Sequence, residues 1–329
     1  MMYVGVDIAK LKFDVCFDAH QIQRAKQKKK YAAFANTVEG IEDFCAQLPQ
    51  DVLVVFESTG RYSKLLYKML CEKGVKCACI NPYRLVQFKN AMGRFVKSDK
   101  PDAESLSLYG YKMEPRATQF IDEKDAELQE LVRSRDVLIE NIRQYQNRLE
   151  VPYVSDCVNK TYQEIIDILE GKLKAKNQEI NEFMERNEAH KGRRDRLITL
   201  KGVGAVTAVG LLAHCPELGK LSRQEIGALS GTCPYTKESG NTYMTEHICG
   251  GRPELRRTLY MAAQVARRYD PEMHRLYERL ISKGKPTKIA LVAVMRKLLI
   301  RANSTLKKEN DYVVRGTLSS KVLSQKKVA

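Results

Sequence analysis

The chain has 329 residues, and its 56 lysine and arginine residues outnumber its 40 aspartate and glutamate residues, giving a formal net charge of +16. This length favours two domains over a single hydrophobic core. The positive surplus favours a polyanionic partner, with nucleic acid first, because phosphates that are neutralised by lysine or arginine release counterions.

Cysteine usage and hydropathy argue against two further classes. The nine cysteines include no C-x-x-C pair, which argues against a zinc site and for reduced thiols. The segment around Asp7 lacks the apolar core of a signal peptide, and no run approaches the roughly 18 apolar residues of a membrane span. We therefore expect a cytoplasmic protein with no membrane partner.

Six segments near the start alternate between strand and helix patterns. They are strands at Tyr3–Asp7, Lys12–Phe17, Val52–Phe56 and Val75–Ile80, and helices at Val38–Leu48 and Gly60–Lys73. The tight connection between the first two strands predicts a hairpin, and Asn36 and Thr37 are candidate caps of the first helix. The later strand, helix and strand predict a parallel pair joined by a right-handed crossover. This order indicates an α/β domain with a mixed sheet.

Long polar helices are predicted from Glu123 to about His190, where a few apolar positions recur among many charges. Pro152 and the stretch Val151–Lys160 interrupt the pattern, which favours two antiparallel helices over one continuous rod. Such a helical arm either pairs with a second copy of the chain, which we favour, or merely spaces two domains.

A glycine-rich globular unit of short helices is expected from about Arg194 onward. The chain is helical again after Pro271 and then becomes strongly basic. Residues 284–329 contain eleven lysine or arginine residues and two acids. This end is either a cationic segment for a polyanion or a solvated tail.

Four acids lie at the ends of predicted elements. Asp7 and Glu57 each end an apolar strand, and Asp99 and Asp102 lie three residues apart at a helix start, where both would face the sheet. Each acid alone also fits an ordinary helix cap. Four carboxylates brought together would repel one another unless a divalent cation relieved the repulsion. Oxygen ligands of this kind select Mg²⁺ or Mn²⁺ over zinc.

Two features of the glycine-rich unit are candidate phosphate contacts. Residues 197–212 predict a helix, a hairpin at Gly202 and Gly204, and a second helix whose N–H groups could face a phosphate beside Lys201. The alternative is an ordinary tight turn. Further on, a predicted helix starts at a proline with three arginines around its first turn, which form either a phosphate clamp or a solvated helix face. These arginines are Arg252, Arg256 and Arg257.

Two serines, Ser230 and Ser239, are each followed by glycine, which leaves a serine sterically open. Most serine-glycine pairs are only turns. Chemistry alone therefore assigns a nucleophilic role to neither of them.

The chain resembles the transposases of the insertion-sequence-110 family over nearly its whole length. The motifs that carry the resemblance are, in order, V-G-V-D-I-A-K, F-E-S-T-G-R-Y, K-S-D-K-P-D-A-E, the K-G-V-G hairpin, P-Y-T-K-E-S-G and G-G-R-P-E-L-R-R-T-L-Y-M-A-A. The resemblance implies an RNase H-type, RuvC-like domain over residues 1–122 and a helical coiled-coil arm over residues 123–190. It further implies a mainly α transposase domain with a helix-hairpin-helix-like segment over residues 191–283, ahead of the basic segment 284–329.

The resemblance also implies site residues. Its acidic tetrad corresponds to Asp7, Glu57, Asp99 and Asp102, which would be catalytic and would bind Mg²⁺. The nucleophilic serine corresponds to Ser239, with Ser230 as the fallback.

By the same resemblance, the protein is expected to be a DNA transposase or recombinase that cuts and rejoins DNA through a covalent phosphoserine. Expected partners are the element ends and target DNA, a structured noncoding guide RNA and further copies of the chain in dimers and tetramers. One protomer's acids would act with another protomer's serine. The expected location is the prokaryotic cytosol or nucleoid.

The chain departs from the family pattern at two places. Residues 241–248 after the serine read N-T-Y-M-T-E-H-I, with Glu246 and His247 where many relatives carry glycine and basic residues. Lys201 replaces the proline that usually precedes the hairpin glycine. The alternatives are a Mg²⁺-dependent RuvC-like endonuclease of structured DNA with water as the nucleophile, and a non-enzymatic nucleic-acid scaffold.

Overall fold

The computed structural model describes most of the chain. The described residues are 1–17, 19, 30–58, 60, 62–93, 99–118, 122–152, 155–235, 238–239, 242–243 and 247–308; within them, no side chain is described at 30, 99–101, 235, 238–239, 242–243, 247 or 308. The chain divides into two compact units, Met1–Phe120 and Ile121–Ala329. Each unit has its own hydrophobic core.

The first unit is a five-stranded mixed sheet with helices on both faces. Its strands are β1 Met2–Ile8, β2 Lys12–Phe17, β3 Lys30–Ala35, β4 Val52–Glu57 and β5 Cys77–Ile80. Its helices are α1 Val38–Ala46, α2 Ser63–Glu72, α3 Pro82–Ala91 and α4 Asp99–Met113. The strand order is β3-β2-β1-β4-β5, in which β1, β4 and β5 are parallel and the β1–β2 and β2–β3 pairs are antiparallel.

Alternation along the strands assigns the two faces of this sheet. Val4, Val6 and Phe56 point to the face that packs with residues of α1 and α2. The intervening residues Leu53 and Val55 point to the opposite face, where they form a core with residues of α3 and α4. Two consecutive residues of β1, or of β4, therefore point to opposite faces of the sheet and to different cores.

Helix α4 lies in direct backbone contact with β1. A Cβ atom on Gly5 would be 2.0 Å from the carbonyl oxygen of Ala103 and 2.4 Å from the amide nitrogen of Ser107. The Ser107 hydroxyl donates a hydrogen bond to the Tyr3 carbonyl at 2.7 Å. Because Gly110 lies against Tyr3 and Ala103 lies against Gly5, the helix runs antiparallel to β1. The first turn of α4 therefore lies toward the carboxyl end of the strand.

The second unit is mainly helical. Its helices are α5 Glu123–Leu149, α6 Asp156–Arg186, α7 Glu188–Ile198, α8 Ala205–His214, α9 Arg223–Ser230, α10 Pro253–Tyr269, α11 Pro271–Ser282 and α12 Thr287–Lys308. Its four short strands are β6 Pro234–Tyr235, β7 Glu238–Ser239, β8 Thr242–Tyr243 and β9 His247–Ile248. β6 pairs with β9 and β7 pairs with β8, both antiparallel.

Helices α5 and α6 form an antiparallel pair. Tyr145 contacts Tyr162 close to the connection, with ring centroids 5.8 Å apart. At the other end, Leu128 of α5 and Phe183 of α6 join the core of the second unit. The interruption at Pro152 thus separates two helices, as the sequence predicts.

Several other predictions agree with the structure, and some elements were not anticipated. The opening hairpin, the parallel β4–β5 pair and the Thr37 cap of α1 are present; the Thr37 hydroxyl accepts a hydrogen bond from the Gly40 amide. A mixed sheet followed by a mainly helical region confirms the predicted fold class at this level. Strand β3 and helix α3 were not predicted.

The beginning of the basic C-terminal segment belongs to the folded core. Residues 287–308 form α12, and Leu291, Met295 and Leu299 on one side of that helix are buried. Its lysines and arginines thus alternate with core positions. Among the described helices, none is long and apolar enough to cross a membrane.

Replacing Gly5 with alanine tests the contact between α4 and β1. Gly5→Ala should lower the free energy of unfolding of the first unit by about 2–3 kcal/mol, because the added methyl group overlaps backbone atoms of α4. Gly171→Ala in α6 is the matched control: its Cβ would meet nothing within 4 Å, and stability should rise by up to about 1 kcal/mol. Urea titration followed by hydrogen-exchange mass spectrometry measures the free energy of unfolding of each unit separately. Wild-type stability of Gly5→Ala would contradict the packing described.

Candidate active site

Two of the four predicted acids lie side by side at the carboxyl edge of the sheet. The parallel register pairs Val6 of β1 with Phe56 of β4. The next residues are Asp7 and Glu57, which share the sheet face that α3 and α4 cover, because residues in register on parallel strands point the same way. Both side chains are partly exposed. The strand-end positions proposed from sequence therefore converge.

The other two acids lie in the first turn of α4. Asp99 is the first residue of the helix, and its side chain lies outside the described ones. Asp102 directly precedes Ala103, the residue whose carbonyl lies over Gly5. The contact between α4 and β1 thus brings the helix start toward the strand ends that carry Asp7 and Glu57.

Asp102 forms an ion pair that the sequence did not indicate. The Lys89 ammonium on α3 lies 2.6 Å from Asp102 Oδ1, and the two side chains are only 18% and 16% exposed. Lys89 and Asp102 lie thirteen residues apart on different helices, so local patterns do not connect them. A cationic group already lies on one carboxylate of the proposed set.

The proposed ligands suit a hard divalent cation by their chemistry, since every donor is a carboxylate oxygen. Among the side chains that the structure describes, no three acidic, histidine or cysteine residues are grouped closely enough to hold a metal ion. The residues that would hold the ion are therefore assigned from strand ends and the helix start.

Two further acids lie on the same sheet face, and neither is among the site residues predicted from the sequence. Asp14 pairs with Asp7 in the β1–β2 ladder and binds Lys12 at 2.9 Å. Glu104, on the first turns of α4, is buried and accepts a 2.7 Å hydrogen bond from the Tyr31 hydroxyl. Alternation along β2 places Asp14 on this face, and that signal was readable from the sequence.

The glycine hairpin of the second unit has one packing position and two exposed positions. Gly202 has a φ of +95°, and a Cβ atom there would lie 2.6 Å from the Ala262 carbonyl oxygen of α10. Gly202 therefore permits a close backbone approach. Gly204 precedes α8 with open space around it, and Lys201 is exposed.

The Arg252 side chain is bound within the protein. Its two terminal nitrogens hydrogen-bond both carboxylate oxygens of Glu217 at 2.7 and 2.8 Å, and Nη1 also reaches the His214 carbonyl at 2.9 Å. Burial disfavours the Glu217 carboxylate, but the hydrogen bonds and charge of Arg252 outweigh burial, so the pKa of Glu217 lies below its ordinary value. Such a bidentate pair leaves this guanidinium poorly placed for DNA phosphate.

The neighbouring arginines differ from each other. Arg256 donates a 2.7 Å hydrogen bond to the Gly250 carbonyl, whereas Arg257 is exposed on α10. The three arginines that look equivalent in sequence therefore have three different environments. Phosphate binding by these arginines stays a prediction, and the exposed Arg257 is the best placed for it.

The two candidate serines also differ. Ser230 is 0% exposed, and its hydroxyl donates to the Gly227 carbonyl at 3.0 Å and lies 2.8 Å from the Thr232 hydroxyl. The backbone of Ser239 ends β7 and pairs with Thr242 of β8. Its side chain lies outside the described ones. The burial of Ser230 argues against it as a nucleophile.

Two family models match the chain. A DEDD-type transposase model of insertion sequence 110 matches residues 4–151, and a model of transposases of the IS116/IS110/IS902 family matches residues 194–278. The first match includes the four proposed acids. The second includes the glycine hairpin at Gly202, both candidate serines and the three arginines that begin with Arg252. A DEDD transposase domain indicates the use of a divalent metal.

Curated relatives lead to the same family. The pilin gene-inverting proteins of Moraxella bovis and Moraxella lacunata are each 26% identical to this chain over 326 residues, which cover 94% of the chain and 97% of either relative. An uncharacterized 43.6 kDa protein of insertion element IS110 from Streptomyces coelicolor is 29% identical over 102 residues, 30% of this chain and 25% of that protein.

Replacing Glu217 with glutamine tests the internal role of Arg252. Glu217→Gln should lower the free energy of unfolding at pH 7 by about 1–2 kcal/mol, because a partly screened, hydrogen-bonded ion pair is lost. The folded-state pKa of Glu217 is depressed, so its contribution is complete above the unfolded pKa of about 4.3 and is lost as pH falls through the folded pKa.

The difference between the wild type and Glu217→Gln should therefore narrow on acidification. Urea unfolding at a series of pH values measures it. The control Glu278→Gln, at an exposed acid of α11, should change stability by less than about 0.5 kcal/mol. A Glu217→Gln effect that stays constant down to pH 3 would argue against the carboxylate as its source.

Proposed function

Because the chain belongs to the insertion-sequence-110 family of transposases, we propose that it recombines DNA by cutting and rejoining strands through a covalent serine–phosphate linkage. The observation that carries this proposal is the convergence of the α4 start on the strand ends of Asp7 and Glu57. The family supports an enzyme that acts on DNA. The serine chemistry is our proposal.

The residues proposed to hold a divalent cation, Mg²⁺ or Mn²⁺, are Asp7, Glu57, Asp99 and Asp102. Once bound, the cation would lower the charge on the scissile phosphate and so favour nucleophilic attack. By holding the cation, the carboxylates would fix the place of that phosphate at the sheet edge. Without the cation, Lys89 compensates the charge of Asp102, and a bound cation would displace this ammonium or share the carboxylate with it.

The proposed nucleophile is Ser239, and the burial of Ser230 supports this choice. In the cleavage step the Ser239 Oγ–P bond forms and the bond from phosphorus to the 3′-oxygen breaks, so the departing 3′-oxygen ends as a hydroxyl and the serine hydroxyl loses its proton. In the joining step a 3′-hydroxyl from another strand attacks the same phosphorus and loses its proton, the P–Oγ bond breaks, and the Ser239 oxygen leaves and is protonated again. One phosphodiester is exchanged for another, and no external energy source is needed.

DNA contacts are proposed for the exposed positions of the second unit. Lys201, Gly204 and Arg257 face solvent, whereas Arg252 and Arg256 are bound to groups of the protein. The net charge of +16 supplies the remaining, sequence-independent attraction. Recognition of element ends and target through base pairing with a noncoding guide RNA is also proposed.

Self-association through the arm is a further part of the proposal. The α5–α6 pair leaves large apolar side chains exposed, among them Val137 at 57% and Ile168 at 64%. A second copy of the chain would cover them, and a dimer or tetramer would allow one protomer's acids to act with another protomer's serine. Pilin gene inversion, named for the Moraxella relatives, is a reaction of the proposed kind.

The nucleophile is tested by replacing each candidate serine. Ser239→Ala should bind DNA as the wild type does but should form no protein–DNA adduct on a denaturing gel and no recombinant product. Ser230→Ala is the matched control; it should retain the adduct, although loss of two buried hydrogen-bond contacts should destabilise it by about 1–2 kcal/mol.

If Ser239→Ala still forms the protein–DNA adduct, another residue is the nucleophile. Metal-dependent cleavage by the wild type without any adduct would favour the alternative reaction, in which water attacks and the protein is an endonuclease. Tight, salt-sensitive binding without cleavage would indicate a scaffold.

The role of Asp102 is tested by titrating the metal-free protein with Mn²⁺ in a calorimeter. Asp102→Asn should weaken Mn²⁺ binding at least about tenfold, because a charged ligand is lost. Lys89→Met should strengthen binding several-fold, because a competing ammonium is removed. Lys73→Met, an exposed lysine after α2, is the control of equal charge and should change little. Unchanged affinity in Asp102→Asn would argue against this site.

A further inference from the structure

The segments that enter and leave the serine-bearing strands cross at three glycines. Gly231 follows α9, and Gly250 and Gly251 precede α10; all three have positive φ angles, between +63° and +70°. A Cβ atom on Gly231 would lie 2.2 Å from the Gly250 carbonyl oxygen, and one on Gly251 would lie 2.1 Å from the Gly231 amide nitrogen. Backbone lies directly on backbone at this crossing, which only glycine permits.

The crossing lies at the base of the strands that carry Ser239. β6 begins three residues after Gly231, and β9 ends two residues before Gly250. These two strands pair with each other, and β7 and β8 pair between them, with Ser239 opposite Thr242. The geometry of the crossing therefore determines where the outer pair, β6 and β9, leaves the helical core, and β7 with Ser239 lies between these two strands along the chain.

Arg256, on the first turn of α10, joins the two segments. Its Nη1 donates to the Gly250 carbonyl at 2.7 Å on the outgoing segment and to the Ser230 carbonyl at 3.5 Å on the incoming one. The same nitrogen would lie 2.4 Å from a Cβ atom on Gly231. A backbone hydrogen bond from Arg252 to the Leu229 carbonyl, 2.8 Å long, closes the crossing from the other side.

We propose that Arg256 is a positioning residue for strand cleavage, which holds the crossing and thereby orients the strands of Ser239, and that it is not a phosphate ligand. The proposal rests on Ser239 as the nucleophile. Both carbonyls accept from the N–H groups of one terminal nitrogen, Nη1, whose donor directions the planar guanidinium fixes, whereas a lysine ammonium rotates freely and a glutamine side chain is shorter and uncharged. Arg257, one residue further and exposed, has no such carbonyl partners among the described contacts and is the natural comparison.

The test compares Arg256→Gln with Arg257→Gln in the full-length protein, with duplex DNA of an element end as the probe. Arg256→Gln should slow adduct formation between about 10- and 100-fold, because a small misplacement of a reacting group costs that much. Its DNA affinity should stay within about twofold of wild type, with an unchanged salt dependence. Arg257→Gln should instead weaken DNA binding and lower the salt slope by about one.

A second variant disturbs the crossing while all charges are kept. Gly231→Ala places a methyl group against the Gly250 carbonyl and should slow adduct formation as Arg256→Gln does. Arg256→Lys should restore only part of the rate, since its ammonium keeps the charge but lacks the fixed donor directions of the planar guanidinium. Hydrogen exchange should increase at amides of residues 231–251 in all three variants, with the remaining core unchanged.

Two results would overturn the proposal: a wild-type adduct rate in Arg256→Gln, or a loss of DNA affinity and salt slope that accounts for its slower rate. Failure of the proposed function is separable from these. If Ser239→Ala still forms the adduct, the serine assignment fails, while hydrogen exchange in Arg256→Gln still decides whether this arginine holds the crossing.

Discussion

The close contact between α4 and β1 is the constraint on which the candidate site depends. Because Gly5 has no side chain, the Ala103 carbonyl can lie directly over the strand, and this fixes the helix along β1. The first turn of α4 then falls at the strand ends of Asp7 and Glu57. The proposed set of four acids depends on this packing, and a side chain at Gly5 would move the start of α4 away from the strand ends.

Close backbone packing at glycines also occurs in the second unit, where it has a different consequence. Gly202 allows the hairpin to pack against α10, and the crossing glycines allow the segment before β6 to contact the segment after β9. Two arginines of this unit also bind groups of the protein, Arg252 the Glu217 carboxylate and Arg256 the carbonyls at the crossing. Some of the arginines that contribute to the positive net charge therefore bind groups of the protein, and their charge does not face nucleic acid.

The sequence predicts those features of the fold that local residue patterns encode. Apolar runs located β1, β4 and their terminal acids, and the strand–helix–strand order implied their parallel neighbour β5. Strand β3 was missed because it follows a run of polar and lysine residues, and only its pairing with β2 makes Lys30–Ala35 a strand. The partners of Asp102 and Arg252 lie 13 and 35 residues away, so no spacing rule reveals whether a cation faces a phosphate or a carboxylate.

The central claim is that one cation bound in the first unit contacts both strand ends and the start of α4. Iron(II) in place of magnesium, with ascorbate and peroxide, cuts the backbone beside the bound ion, and mass spectrometry identifies the cuts. The account predicts cuts near Asp7, near Glu57 and near residues 99–102 together, which excess Mg²⁺ suppresses and Asp102→Asn removes. Cuts in only one of these stretches, or cuts elsewhere that persist in Asp102→Asn, would contradict it.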